Sequence, residues 1–240
     1  MIHDSALRTK RLTSTNSLLA ALPRQDLQAL LAGGKQVALS FGEVLYLADE
    51  QIHHVYFPTE GFISSLTAEG DPPTLEVGLI GTEGMLGASL ILGIDTAPLR
   101  GLVQGKGIAL RLSTARFRRE VSSRAALRRV LGAYVYVLMQ QLAQMVACSR
   151  HHEVNARLAR WLLMTQDRAH AAQFHLTHQF LARMLGVRRE GVTEAAGRMQ
   201  QRRLIGYKRG HIEVLNRRRL EAASCSCYRT DLATYQRILG

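Results

Sequence analysis

Residues 177–196, Thr-His-Gln-Phe-Leu-Ala-Arg-Met-Leu-Gly-Val-Arg-Arg-Glu-Gly-Val-Thr-Glu-Ala-Ala, leave this chain few ways to fold. Thr177 has the side-chain oxygen that caps a helix start. Leu181 and Leu185 give that helix one apolar stripe, and Ala182 is small enough for a second helix to cross close by. Gly186 supplies the left-handed backbone that ends a helix in a tight turn. Val187, Val192 and Ala195 then face inward on a second helix. Small, apolar and glycine positions at these offsets predict a helix-turn-helix.

The second helix carries Arg188, Arg189, Glu190, Glu194 and Arg198 on its outer side. Arginine can donate two hydrogen bonds to guanine, and a carboxylate can accept from cytosine. Charges at the N-terminal end of such a helix lie where base edges are read. Leu204 to Leu215 follow as two short strands around Lys208-Arg209-Gly210, a wing that puts Lys208 and Arg209 near phosphates.

Charge supports this placement. Residues 35–110 hold nine acidic and three basic side chains, and residues 150–220 hold five and fifteen. The chain's +12 is therefore concentrated in its second half, which suits a polyanion. With 47% hydrophobic and 21% charged residues the chain is of ordinary globular composition. No uninterrupted apolar run reaches about 20 residues, the longest candidate (85–94) being broken by glycines. The N-terminus has no apolar signal core, so a cytoplasmic protein without membrane contact is expected.

The rest of the chain predicts an α+β protein in three parts. Residues 15–34 read as a helix that Pro23 splits or restarts and Gly33-Gly34 ends. Across 35–112, short apolar runs at 37–41, 44–47, 54–57, 62–66, 75–80, 99–103 and 108–112 alternate with glycine- and proline-bearing turns, which predicts an all-β roll or sandwich. A short helix near 84–92 interrupts them. Over 117–149, Leu127, Leu131, Tyr134, Leu138, Gln141, Met145 and Cys148 recur at alternating steps of four and three. That seam fits either a helix packed on its own domain or a coiled-coil dimer contact. The dimer is preferred because a DNA-reading unit follows. A helix at 152–169 has Val154, Leu158, Trp161, Leu162 and Met164 inward, with Trp161 as a core anchor. The expected division is 1–116, a sensor-like β domain; 117–150, a dimerisation helix; and 151–240, the winged helix.

No nucleophile–base pair, paired carboxylates or metal-ligand spacing points to an enzyme, and Gly81-Thr82-Glu83-Gly84 lacks the lysine of a phosphate-binding loop. The three cysteines, Cys148, Cys225 and Cys227, form no disulfide framework. Cys225-x-Cys227 reads as two ordinary thiols, or as part of a metal or redox site. The histidine pairs His53-His54 and His151-His152 read as surface or capping residues. No metal or cofactor is expected.

The whole pattern resembles the CRP/FNR family of bacterial regulators. Gly-Val-Arg-Arg-Glu-Gly-Val at 186–192 is similar to that family's Gly-Cys-Ser-Arg-Glu-Thr-Val. The resemblance implies a β-roll (a double-stranded β-helix of cyclic-nucleotide-binding type), a long dimer helix and a winged helix-turn-helix. It implies base reading by Arg189 and Glu190, with Thr177, Gln179 and Arg188 near the DNA backbone. Glu194 stands where members reading the best-known half-site carry arginine, so a different half-site is implied, and Gly191 replaces a common threonine. In nucleotide-binding members a Gly-Glu-Leu and an Arg-Ser or Arg-Thr hold the ligand. Here Gly84 and Met85 occupy the first part and Arg100 lies out of register with the second. Methionine cannot usefully accept from a ribose hydroxyl, so no tight cyclic-nucleotide binding is expected. The partners expected are double-stranded DNA and a second copy of the chain, with RNA polymerase a further candidate and the effector unassigned. The competing function is a sensor or scaffold whose winged helix docks another protein.

Overall fold

The computed structural model describes residues 16–68, 70, 74–169, 173–208 and 210–240. Helices α1 (Ser17–Ala20) and α2 (Arg24–Gly33) come first, separated at Pro23, which stands at the N-cap of α2. One antiparallel sheet follows, made of β1 (Lys35–Leu39), β2 (Val44–Tyr46), β3 (His54–Leu66), β4 (Glu76–Ile80) and β5 (Arg100–Ser113). Its order is β1-β5-β3-β4, with β2 also paired to β5. A 3-10 helix, Ala88–Leu92, lies between β4 and β5. The fold class is the expected α+β arrangement.

Two of the expected turns are bulges inside long strands. β3 runs through Pro58-Thr59-Glu60-Gly61, and β5 runs through Gly105-Lys106-Gly107. The register between them shifts three times in this region. Gly61 takes φ +76°, and a Cβ at Gly107 would collide with the Glu60 carbonyl. Glycine here permits a bulge and close backbone approach, and a sequence pattern shows the same residues as a turn.

The helical segment expected over 117–149 divides at Arg124. Helix α3 (Thr114–Ser123) is capped by Ser113, and α4 spans Ala125–His151. The N-terminal part of the heptad seam belongs to the chain's own core. Leu127, Leu131 and Tyr134 are buried against the β-roll, and Leu138 and Met145 are half-buried. The large apolar side chains that α4 leaves exposed are Tyr136, Met139, Leu142 and Val146. Leu127, Leu131 and Tyr134 are therefore not partner-facing, and the free stripe lies one to two residues round the helix. By length and composition alone α4 is also apolar enough to cross a membrane, although Gln140, Gln141 and Gln144 interrupt its apolar run.

The C-terminal unit comprises α5 (Val154–Ala169), β6 (Gln173–His175), α6 (His178–Leu185), α7 (Arg189–Gln201), β7 (Ile205–Lys208), β8 (His211–Val214), α8 (Arg217–Ala223) and α9 (Cys227–Leu239). β6, β8 and β7 form a three-stranded antiparallel sheet, one strand more than the two expected. This unit packs directly on the β-roll, since Phe62, Leu66 and Leu79 share a core with Leu158, Trp161 and Leu162. Trp161 Nε1 donates to Glu76 Oε1 at 2.6 Å, and Arg168 Nε pairs with Glu83 Oε1 at 2.8 Å.

Candidate nucleic-acid interface

The turn between α6 and α7 forms for the reasons visible in its residues. Thr177 Oγ1 accepts from the Phe180 amide at 3.1 Å and so caps α6. Gly186 ends α6 at φ 60°, ψ 43°, a left-handed conformation that disfavours a side chain. Leu181, Ala182, Leu185, Val192 and Ala195 are buried together, and Val187 is half-buried. Arg157 also donates to the Leu185 carbonyl at the end of α6, placing a cation where the helix dipole favours one.

This packing turns one face of α7 outward. Arg188, at its N-cap, and Arg189, Glu190, Glu194 and Arg198 are all exposed. Glu194 Oε1 and Arg198 Nη1 pair at 2.9 Å, one helical turn apart. Exposed pairs of this kind contribute little stability, so either partner is available to a competing ligand. Gln179 is exposed at the start of α6, and Lys208 is exposed at the end of β7. Arg209 lies outside the described residues. Thr177 is exposed, but its hydroxyl is already used as a cap.

Sequence reasoning missed His178. Its ring stacks on Tyr207 of the wing (centroids 4.2 Å apart, planes 20° apart), and its Nδ1 lies 3.0 Å from Thr193 Oγ1 on α7. One side chain thus joins α6, α7 and the wing. Burial, aided by the nearby Arg189 charge, pushes its pKa below the ordinary histidine value. A stacked histidine carries no spacing signature, so only the fold reveals it.

In the N-terminal half, a cavity of 280 Å³ lies between the β-roll and α4. Its lining includes Tyr46, Ile52, Met85, Leu86, Leu99 and Leu138. Met85 is the one member of the expected effector set that lines it. Gly84 instead sits beneath Tyr134, whose ring a Cβ there would strike. The Met85 amide donates to the Tyr134 hydroxyl at 3.1 Å. Arg100 starts β5, paired across from Leu66, and is not part of the lining. The cavity wall is mainly apolar, unlike a site built for a sugar phosphate.

A β-roll, a long helix and a winged helix-turn-helix in one chain define the architecture of the CRP/FNR regulators. Residues 156–223 match the Crp-like helix-turn-helix domain. No curated protein matches the sequence. Among solved structures, FixK2 from Bradyrhizobium japonicum superposes with a TM-score of 0.66 at 16% identity, covering 80% of this chain and 98% of that one. CLP of Xanthomonas campestris, described as a c-di-GMP responsive global regulator, gives 0.65 at 16% identity over 81% and 100%. A CooA mutant from Carboxydothermus hydrogenoformans gives 0.57 at 12% identity over 80% and 88%. The chain has the CRP/FNR fold with a Crp-like helix-turn-helix domain, as its sequence pattern implied.

Proposed function

We propose that the chain is a homodimeric, sequence-specific DNA-binding transcription regulator of the cytoplasm, acting on an inverted repeat. The observation that carries this reading is the exposed group Arg188, Arg189, Glu190 and Glu194 on the first turns of α7. In a helix-turn-helix these turns enter the major groove. Arg189, Glu190 and Glu194 read bases. Gln179, Arg188, Arg198 and the wing residues Lys208 and Arg209 hold phosphates, and Thr177 joins them while capping α6. Residues 1–116 act as the sensor-like part, 117–150 as the dimer helix and 151–240 as the reader. The dimer forms along Tyr136, Met139, Leu142 and Val146, which also gives the apolar face of α4 a protein partner in place of lipid. The test is a gel shift on a selected site. Arg189→Ala removes a bidentate contact worth about 1–3 kcal/mol and lowers specific retention accordingly. Unchanged retention would exclude α7 as the reading helix.

The effector, if the cavity takes one, is apolar and not a cyclic nucleotide. Met85 and its leucine and isoleucine neighbours dominate the lining, and its polar side chains, Tyr46, Ser65, Ser89 and Gln141, include no cation to hold a phosphate. Calorimetry with cAMP and cGMP is expected to give no binding at micromolar concentrations, and a micromolar or tighter constant would overturn this assignment.

A further inference from the structure

At the C-terminal end of α4, four potential ligands from distant parts of the chain converge. Cys148 and His152 are one helical turn apart, on one face of the last turn of α4 and its cap. Cys225 and Cys227 approach from the start of α9. Cys148 Sγ and Cys225 Sγ are 3.5 Å apart, and Cys227 Sγ and His152 Nδ1 are 3.6 Å apart. All four ligand atoms lie within 4.8 Å of one another. The three thiols are buried and the imidazole is half-buried.

We propose that Cys148, His152, Cys225 and Cys227 form a structural site for one tetrahedral zinc ion. Zinc–sulfur bonds of about 2.3 Å and zinc–nitrogen bonds of about 2.0–2.1 Å set tetrahedral edges of roughly 3.8 Å between sulfurs and roughly 3.6 Å between sulfur and nitrogen. The two close contacts already match those edges. Three thiolates and an imidazole are a soft donor set that selects zinc over oxygen-preferring cations. A multi-iron cluster spreads its thiolates over separate irons and needs wider spacing. The surroundings suit a bound ion. Gln144 Nε2 donates to Cys227 Sγ at 2.9 Å, as outer partners of metal ligands commonly do. Three thiolates on a divalent ion leave one net negative charge, and the Arg160 guanidinium, oriented by its 2.5 Å pair with Asp231, acts on Cys148 from nearby. The ion would staple α9 to the point where α4 passes into α5, so it fixes how the reader is seated on the dimer helix.

The full chain, expressed in zinc-supplemented medium and purified without oxygen, is expected to hold about one zinc per chain by elemental mass spectrometry. The Cys225→Ser/Cys227→Ser double variant should fall below about a tenth of that. Cobalt exchanged into the unaltered chain should give intense tetrahedral d–d bands and a thiolate charge-transfer band, a readout independent of whether the variant folds. Zinc below about a tenth per chain with no cobalt–thiolate band, zinc retained by the double variant, or a Cys148–Cys225 disulfide in the purified chain would each overturn the site. The site does not depend on the DNA-binding reading. Zinc content and DNA retention are separate measurements on one preparation.

Discussion

At the scale of single residues, Glu76 ties the β-roll to the C-terminal unit. It is wholly buried between the β-roll and α5, accepting from Ser64 Oγ at 2.6 Å and Trp161 Nε1 at 2.6 Å. Burial raises its pKa to about 7 from 4.5, against the opposing pull of those two hydrogen bonds and of Arg168 and Arg160. A carboxyl with a raised folded-state pKa binds protons more tightly in the folded chain. Its contribution to stability is therefore fully present below the unfolded value and is lost as pH rises from about 4.5 through about 7. The loss amounts to about 3 kcal/mol at 1.36 kcal/mol per unit. Urea denaturation at pH 5.5 and pH 8 should show this slope, and Glu76→Gln should flatten it. Trp161, the single tryptophan, reports the same contact by fluorescence. A Glu76→Gln chain with the same pH slope as the wild type would remove Glu76 from this role. Two glycines make a second contrast. Gly107→Ala meets the Glu60 carbonyl across the bulge and should destabilise, whereas Gly197→Ala meets nothing in α7 and should gain about 1 kcal/mol in helix propensity. Thermal melts of the two variants check both signs.

At the scale of elements, α4 gives the clearest prediction about assembly. Val146→Glu, at a position 69% exposed, should leave the fold intact and yield monomers by light scattering, with DNA retention at least about tenfold weaker from loss of the second half-site. Leu131→Glu, at a fully buried position, should instead unfold the roll. A dimeric Val146→Glu chain would move the interface elsewhere. The same helix shows what was legible in the sequence. Its apolar period was clear, but a one- or two-residue rotation decides which seam faces the chain's own roll, and that depends on where Tyr134 meets Met85. The helix-turn-helix was legible almost residue by residue because caps, turn glycine and stripe are local. The strand count was not, because Gly61, Gly105 and Gly107 serve a bulge with the composition of a turn. The Cys/His cluster was also hidden. Its ligands are 77 positions apart at the Cys148–Cys225 contact, and neither half alone shows a complete ligand pattern.

At the scale of the whole molecule, the winged helix is docked on the β-roll. An added Cβ at Gly186, at the turn before α7, would touch Leu75. Trp161–Glu76, Arg168–Glu83 and the Tyr235 hydroxyl to the Glu83 carbonyl, at 2.6 Å, close the junction. The acidic half and the basic winged helix are thus in direct contact. The central claim is that this molecule reads DNA as a dimer through α7. Selection of bound sequences from random double-stranded DNA with the purified chain tests it most directly. The account predicts enrichment of an inverted repeat whose half-sites lie about 10 bp apart centre to centre, or a multiple of that. Arg189→Ala should relax one position in each half-site. Failure to enrich any sequence, or enrichment of a motif that Arg189→Ala leaves untouched, would contradict it.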